Sequence, residues 1–373
     1  MKRAIAVAAA LAALLIAVPA ASARSVPQGF FGVMYDHGIE RASDGVQDEQ
    51  WDLMASSGVE TVRTVFNWAA AQPSRGAEFD FESTDGVVRR AALRNQDILP
   101  IVIYAPPWAR AYRKRFTSPP KNRADYVNYV AALVERYGPD GTFWNDHPEL
   151  PKRPLRQWQI WNEPHLQDYW AAPEKGPYGY VRRYPALLRA SYNVVKSLDP
   201  GAKIVLAGIT QRAWEEIELL YQHGIKPYFD VAAMQIFPQT VKRAVKATRF
   251  FRDAMKRRRD RRKPIYLTEI TWPASKGKTQ GIRYQSQETP RGMATKLSQM
   301  YRAMALRRRA LGVSKVFWYT WASPYGRGGS IFNYAGLQQY ADGDFTAQPA
   351  LRAYQRSARR YQGCTKTVTG VCQ

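Results

Sequence analysis

Short apolar segments rich in β-branched and aromatic residues alternate along the chain with longer segments in which apolar residues recur at helical spacing. The strand-like segments occupy residues 29–36, 60–68, 98–105, 156–163, 203–209, 229–237, 264–272 and 315–321. The spacing of Met293, Leu297, Met300 and Met304 is typical of one buried helix face. Because strands and helices alternate, the pattern predicts parallel strands joined by right-handed crossovers.

The number of strand–helix units favours one architecture over another. Eight units in about 330 residues predict a single closed (β/α)8 barrel of the TIM type. A doubly wound open sheet is the alternative, but no glycine-rich phosphate loop follows the first strand. Gly138 and Gly312 directly follow two helical runs, where helices commonly end. No linker or low-complexity segment divides the chain, so we expect one domain.

The composition narrows the classes of function. Of the 373 residues, 45% are hydrophobic, which excludes a disordered or collagen-like chain. The two cysteines are too few for a disulfide scaffold or a zinc cage, and the four histidines stand singly. We therefore expect no metal and no cofactor, which leaves a cofactor-free enzyme or a binding module. Lys and Arg outnumber Asp and Glu by 55 to 31, a formal net charge of +24.

The first 23 residues follow the three-part pattern of a secretory signal peptide. Lys2 and Arg3 precede an uncharged run over residues 4–18, and a small-residue ending follows at residues 21–23. A membrane anchor is the alternative, but the apolar part is shorter than the ~20 residues of a spanning helix. The sequence therefore predicts cleavage after Ala23 and a mature protein without a transmembrane segment, secreted or associated with the cell envelope.

The predicted organisation has three parts: a signal peptide over residues 1–23, the barrel over 24–360 and a polar tail over 361–373. Outside the cell, oxidising conditions would allow Cys364 and Cys372 to close a small loop in this tail. In the chain-entropy model such a disulfide contributes roughly 2–3 kcal/mol. It would hold the tail rather than the core.

Two glutamates stand at the ends of predicted strands four and seven. Glu163 lies in an Asn-Glu-Pro sequence and Glu269 in a Thr-Glu-Ile sequence, and both have aromatic neighbours. Either glutamate alone could be a solvated or a helix-capping residue. The carboxyl ends of barrel strands form the active face, so the two side chains would meet there. Glycoside hydrolysis needs such a pair: one acid protonates the leaving oxygen, and one carboxylate attacks or activates water.

Several segments resemble clan A glycoside hydrolases, the barrel superfamily that includes the family 5 cellulases and the family 39 β-xylosidases and α-iduronidases. These segments are WQIWNEP (158–164), YLTEITWP (266–273), YAPPWA (104–109), FWYTWASP (317–324), and Arg63 with Trp68 on strand two. The resemblance covers most of residues 29–355 and is greatest to the family 39-like branch. It implies a glycosidase that acts on a carbohydrate.

The resemblance further implies a retaining mechanism, with Glu163 as the general acid/base and Glu269 as the nucleophile. Arg63 would lower the pKa of Glu269 by charge pairing, and a negative Glu269 would raise the pKa of Glu163. Asn162 would hydrogen-bond the 2-hydroxyl group of the sugar. Trp318 would form the floor of the subsite in which the bond breaks.

The remaining candidate substrate-binding residues stand at strand ends or in the loops that follow. They are Trp68, Trp108, Gln235 and Trp321. Relatives commonly carry a His-x-Tyr sequence at the end of strand six, whose tyrosine donates a hydrogen bond to the nucleophile. Here the sequence is Gln235-Ile236-Phe237, and Phe237 has no hydroxyl group. The donor must therefore come from elsewhere or be missing.

The sequence thus predicts a secreted retaining glycosidase for a β-linked polysaccharide or oligosaccharide. Two alternatives are a non-catalytic carbohydrate-binding barrel and an envelope-binding protein whose charge is its function.

The positive charge is concentrated in two stretches. Residues 242–263 carry a net charge of +10, and residues 291–309 hold six basic residues and no acidic one. Their densest runs, Lys256–Lys263 and Arg307–Arg309, precede predicted strands seven and eight. In a barrel these runs lie opposite the active face. We expect this basic face to bind an anionic envelope polymer, and we expect no specific nucleic acid partner.

Overall fold

The computed structural model describes residues 23–36, 39–172, 179–279, 286–326, 329–341, 343–364, 367–368 and 371–372. The predicted signal peptide lies almost entirely outside the described residues, so export stays a prediction. Among the helices that are described, none combines the length and the apolar character needed to cross a bilayer.

Eight parallel strands form the centre of the molecule. They are β1 (Phe31–Tyr35), β2 (Thr61–Asn67), β3 (Asp97–Ile103), β4 (Gln157–Ile160), β5 (Lys203–Val205), β6 (Ala232–Ile236), β7 (Ile265–Ile270) and β8 (Val313–Trp318). Their order is β5-β4-β3-β2-β1-β8-β7-β6. Two parallel bridges, Val205 to Val231 and Ile209 to Met234, join the β5 and β6 edges. The prediction of a (β/α)8 barrel is confirmed.

Helices follow the strands on the outside of the barrel. In the described residues they are α1 (Asp44–Ser56), α2 (Trp68–Ala71), α3 (Glu82–Leu93), α4 (Arg123–Tyr137), α5 (Thr142–Asp146), α6 (Tyr184–Leu198), α7 (Ala213–Gln222), α8 (Val241–Arg257), α9 (Pro290–Leu311) and α10 (Pro349–Gln362). The methionine and leucine face predicted for α9 is fully buried. Gly312 ends α9 in the left-handed conformation at φ 71°, whereas Gly138 ends α4 with extended backbone.

The barrel interior is filled in two layers. A cluster of six apolar residues occupies the lower layer: Leu99, Val205, Val231, Ala233, Tyr266 and Phe317. Arg63 and Gln159 are also fully buried, and they contact each other. The apolar layer thus supports a polar layer at the carboxyl ends of the strands, which is where the candidate site lies.

Short strands lie outside the barrel. They are β9 (Ala322–Ser323), β10 (Gln338–Ala341), β11 (Asp344–Ala347), β12 (Thr367–Val368) and β13 (Val371–Cys372). The first three form one sheet, and β12 pairs with β13 in antiparallel fashion. The side chain of Cys372 lies outside the described residues, so the Cys364–Cys372 disulfide stays a prediction, as do the domain boundaries.

Candidate active site

Both glutamates line one cavity at the carboxyl ends of the strands. Its volume is about 710 Å³, and its lining includes Glu163, Glu269, Gln235, Tyr169 and Tyr319. Glu163 is 5% exposed and Glu269 is 9% exposed. The structure therefore brings the two buried carboxyl groups to the wall of one cavity.

Glu269 and three other side chains form a closed ring of hydrogen bonds. Glu269 Oε1 accepts from Arg63 Nη1 at 2.7 Å and from Gln235 Nε2 at 2.8 Å. Arg63 Nη2 and Gln235 Nε2 both donate to Asn162 Oδ1, at 2.9 Å and 2.8 Å. We call this arrangement the carboxylate ring. Because two donors, one of them cationic, point at the same oxygen, the ring stabilises Glu269 in its charged form.

Arg63 is held in place on its other side by Gln159. The Nε atom of Arg63 donates to Gln159 Oε1 at 2.9 Å, and the Gln159 amide donates to the Trp161 carbonyl at 3.1 Å. Arg63 has no exposed surface, so its charge depends on Glu269 for compensation. This packing fixes the guanidinium group and, through it, the orientation of the Glu269 carboxylate.

Two backbone features bring Gln235 to the carboxylate. The register between β6 and β7 shifts between Met234 and Gln235, which places Gln235 opposite Glu269. Gly208 lies directly behind Gln235, where a Cβ atom would be 2.5 Å from Gln235 Nε2. A larger residue at position 208 would therefore displace the amide from the ring.

Phe237 has no hydroxyl group, and other residues donate hydrogen bonds to Glu269. Phe237 lines the cavity and packs against Phe332, with ring centroids 5.0 Å apart. The hydrogen bond expected from a tyrosine hydroxyl at this strand end comes instead from the Gln235 amide and from Arg63. The donor is thus present, two residues earlier than in the resembling pattern.

Glu163 has the environment of a protonated acid. Burial raises the pKa of its carboxyl group well above the usual value, the negative charge of Glu269 raises it further, and Arg63 opposes the rise.

The backbone is in the left-handed region on both sides of Asn162, at φ 67° for Trp161 and 39° for Glu163. Such conformations are unfavourable for non-glycine residues and are often found at functional sites.

Two tyrosines lie close to the carboxyl groups in this cavity. Tyr169 and Tyr319 line the cavity. Burial raises the pKa of both hydroxyl groups, and the nearby charges of Asp36 and Glu269 raise it further. Both hydroxyls therefore stay protonated and able to donate a hydrogen bond. Neither residue was identified from the sequence. For Tyr319, the run Trp318-Tyr319-Thr320-Trp321 does not reveal which ring faces the cavity.

Three tryptophans predicted to contact substrate have no exposed surface. Trp318 donates to the Ala335 carbonyl at 3.1 Å, Trp321 to Gln50 at 3.1 Å and Trp68 to Gln72 at 3.2 Å. Trp318 is not among the residues that line the cavity, whereas the next residue, Tyr319, is. That Trp318 forms the floor of the subsite therefore stays a prediction. Trp68 and Trp321 are packing residues in this structure.

Trp108 is half-buried and lines a different cavity from the one that holds the glutamates. Its indole nitrogen donates to the Gln72 carbonyl at 3.0 Å. The structure thus brings Arg63, Asn162, Glu163, Gln235 and Glu269 together and leaves Trp108 outside this group.

The carboxylate ring gives a prediction for Arg63. In Arg63→Met the cation beside Glu269 is lost, so protonation of that carboxylate becomes easier. We expect the acidic limb of the pH dependence of kcat/KM to move to higher pH, measured with a small aryl glycoside. Arg63→Lys keeps the charge and should move the limb less. An unchanged acidic limb in folded Arg63→Met protein would remove Arg63 from this role.

No protein-family model matches the chain, and no curated protein matches it in sequence. Solved structures do match. A family 39 glycoside hydrolase from Bacteroides cellulosilyticus WH2 superimposes with a TM-score of 0.68 at 19% identity, over 91% of this chain and 64% of that one. The chain shares the (β/α)8 barrel fold of this structure.

Two further solved structures are similar to the chain in fold. A GH5 protein of subfamily 18 from Streptomyces cattleya, in complex with Manβ1-4GlcNAc, gives a TM-score of 0.65 at 18% identity and covers 93% of this chain and 82% of that one. A monomeric β-xylosidase from Caulobacter crescentus CB15 gives 0.60 at 16% identity, over 90% and 69%. The present chain therefore spans about two thirds of the family 39 structures that it matches.

Proposed function

We propose that the protein is a retaining glycoside hydrolase that cleaves β-linked O-glycosidic bonds by double displacement. One observation carries the proposal: two buried carboxyl groups line the same cavity in opposite environments. Glu163 is favoured in its protonated form, whereas Glu269 is paired with Arg63. Carboxyl groups with such different environments correspond to the acid and the nucleophile of this mechanism.

In the proposed mechanism the two glutamates act in turn. Glu163 protonates the glycosidic oxygen while Glu269 attacks the anomeric carbon, and a covalent glycosyl-enzyme forms. Glu163, now ionised, then takes a proton from water, which displaces Glu269 from the sugar. Arg63 and Gln235 hold the Glu269 carboxylate in position through both steps.

A carbohydrate substrate is supported by the solved structures with the same fold, which are named as glycoside hydrolases, a β-xylosidase, β-galactosidases and a β-glucuronidase. The test is turnover of a panel of aryl β-glycosides and β-linked polysaccharides, with the products sized and their anomeric form followed by NMR. A retaining enzyme releases the β-anomer first. Binding of glycans without turnover of any panel member would instead support the non-catalytic alternative.

We propose that the protein is exported. The support is the sequence of residues 1–23. The mass and N-terminal sequence of protein recovered outside the cell would test this, since cleavage after Ala23 leaves Arg24 as the first residue. Full-length protein retained in the membrane would contradict it.

We also propose that the basic face defined above attaches the enzyme to an anionic envelope polymer. Three of its cations have partners: Lys256 pairs with Asp253, Arg257 with Glu218 and Lys263 with Asp260. Other arginines of the face are exposed and, within the described residues, form no ion pair. They include Arg259, Arg261, Arg307 and Arg309.

Replacing these four exposed arginines by Gln should lower retention on isolated cell envelopes and make it less sensitive to salt, because screened charge attraction is removed. The kcat for a small neutral glycoside should stay the same, because the residues lie on the face opposite the cavity. Unaltered retention, or an equal loss of catalysis, would contradict a separate attachment surface.

A further inference from the structure

A second cavity lies on the same face of the barrel as the glutamates and is lined by positive charge. Its volume is about 800 Å³. Five cationic side chains line it together with Trp108: Arg110, Arg113, Lys121, Arg123 and Arg183. No Asp or Glu is among the described residues of its lining. We call it the basic cavity.

Backbone hydrogen bonds order the chain segment that forms much of the basic cavity. The chain between β3 and α4 folds back on itself, with a bridge between Arg110 and Pro120. Ala111 N–H donates to the Pro119 carbonyl at 2.9 Å, and Lys121 N–H donates to the Ala109 carbonyl at 2.7 Å. These bonds fix the backbone that carries Arg110, Arg113 and Lys121.

Four of the five cations that line this cavity have no ion-pair partner among the described residues. Arg110, Arg113, Lys121 and Arg123 form no ion pair with any carboxylate of the described residues. Arg110 is half-buried, and burial lowers the pKa of its guanidinium group. Like charges gathered in this way repel one another, so an anion bound among them would relieve the repulsion. Arginine side chains bind carboxylate and sulfate groups through paired hydrogen bonds.

One short segment separates the basic cavity from the catalytic cavity. Tyr169 lines the catalytic cavity and Trp170, the next residue, lines the basic cavity. Ala171 N–H donates to the Thr117 carbonyl at 3.1 Å, which joins this segment to the chain between β3 and α4. A chain of sugars that leaves the glutamates past Tyr169 would therefore arrive at the basic cavity.

The opposite rim of the catalytic cavity is also basic. Arg243 and Lys246, both exposed on the first turns of α8, line it together with Phe250. Asp168 is the exposed carboxylate in that lining. Cations thus flank the glutamates on both sides along the active face.

We propose that the basic cavity is a distal subsite for an anionic glycan, and that the substrate carries carboxylate or sulfate groups. As a statement about substrate this inference rests on the proposed glycosidase function, but the binding site itself does not. Trp108 then supplies an apolar surface to a sugar ring whose anionic group contacts the surrounding arginines.

Three hexasaccharides with one β-1,4-glucan backbone test the proposal by calorimetry: cellohexaose, its sulfated form, and the corresponding hexamer of glucuronate. We expect the charged hexamers to bind more tightly than cellohexaose, and affinity to fall with added salt. Tighter binding of glucuronate would assign carboxylate as the anionic group, and tighter binding of the sulfated form would assign sulfate. Equal binding of all three would overturn the proposal.

A matched pair of triple variants locates the site. Arg113→Gln, Lys121→Gln, Arg123→Gln removes three exposed charges from the basic cavity, whereas Arg356→Gln, Arg359→Gln, Arg360→Gln removes three exposed charges from the end of α10, near the opposite face. We expect the first variant to bind charged hexamers about tenfold or more weakly than the wild type, and the second to bind them nearly normally. Equal weakening would attribute binding to overall charge and would overturn the proposal.

Turnover is measured separately with a neutral aryl β-glycoside, which is too small to reach the basic cavity. Both triple variants should hydrolyse it like the wild type. If the wild-type protein binds the charged hexamers but hydrolyses no glycoside, the proposed function is contradicted and the proposed binding site is supported. If it hydrolyses glycosides but shows no preference for charged hexamers, the proposed binding site is contradicted and the proposed function is supported.

Discussion

Glu269→Ala should lower turnover of an aryl β-glycoside by about a thousandfold or more, because the group that forms the covalent bond to the sugar is removed. The variant leaves a space beside two donors, Arg63 Nη1 and Gln235 Nε2, which would no longer contact a carboxylate. We expect added azide to occupy this space and to restore part of the rate. The product would be a glycosyl azide of inverted anomeric configuration, since azide attacks from the side that Glu269 occupied.

The product distinguishes this mechanism from a general loss of structure. NMR of the azide product reports its anomeric configuration, and thermal unfolding of Glu269→Ala reports whether the barrel is intact. Unreduced activity in the variant would remove Glu269 from the reaction. An azide product of retained configuration would show that the anion does not enter at the position of Glu269.

Glu163→Gln should separate substrates by their leaving groups. An aryl glycoside with a good leaving group needs little protonation, so its first step should be nearly preserved, whereas glycosides with poor leaving groups should lose about a hundredfold or more. Because burial raises the pKa of Glu163, this acid stays protonated to a higher pH than an ordinary glutamic acid does. The basic limb of the wild-type profile therefore belongs to this group and should disappear in Glu163→Gln.

Glu216→Gln is the matched control for this prediction. Burial also raises the pKa of the Glu216 carboxyl group, but Glu216 lies on α7 and accepts a hydrogen bond from Tyr180 outside the catalytic cavity lining. We expect Glu216→Gln to retain activity on every substrate. Equal losses for good and poor leaving groups in Glu163→Gln would mean that Glu163 is not the acid.

The barrel and the positions of its two glutamates could be predicted from the sequence, because both depend on the order in which strands and helices follow one another along the chain. Alternating strands and helices determine the parallel barrel, and strand ends determine the active face. Strand lengths were less predictable. The run at residues 203–209 contains no polar side chain after Lys203, yet β5 ends at Val205 and the chain continues to Ile209 with a single bridge to Met234. An apolar composition alone does not predict where the hydrogen bonding between neighbouring strands ends.

The parts of the site that were missed depend on side-chain direction. The pairing of β6 with β7 passes from Met234–Leu267 to Gln235–Glu269, and this irregularity, which the sequence alone does not reveal, makes the Gln235 amide the partner of Glu269. Trp318 and Tyr319 are neighbours of similar character, and packing against the β8 surroundings decides which one enters the cavity. The basic cavity brings Arg183 beside Arg113, seventy positions earlier, which no local pattern reveals.

The carboxylate ring has a consequence for how such a barrel could be recombined. Arg63 and Asn162 belong to the first four strand–helix units, whereas Gln235 and Glu269 belong to the last four. Two of the four bonds in the ring, Arg63 to Glu269 and Gln235 to Asn162, cross from one half to the other. A hybrid made from halves of two ancestors could keep its strands and still lack a working centre. The strands of the barrel could be exchanged as halves, whereas the carboxylate ring forms only when both halves supply matching residues.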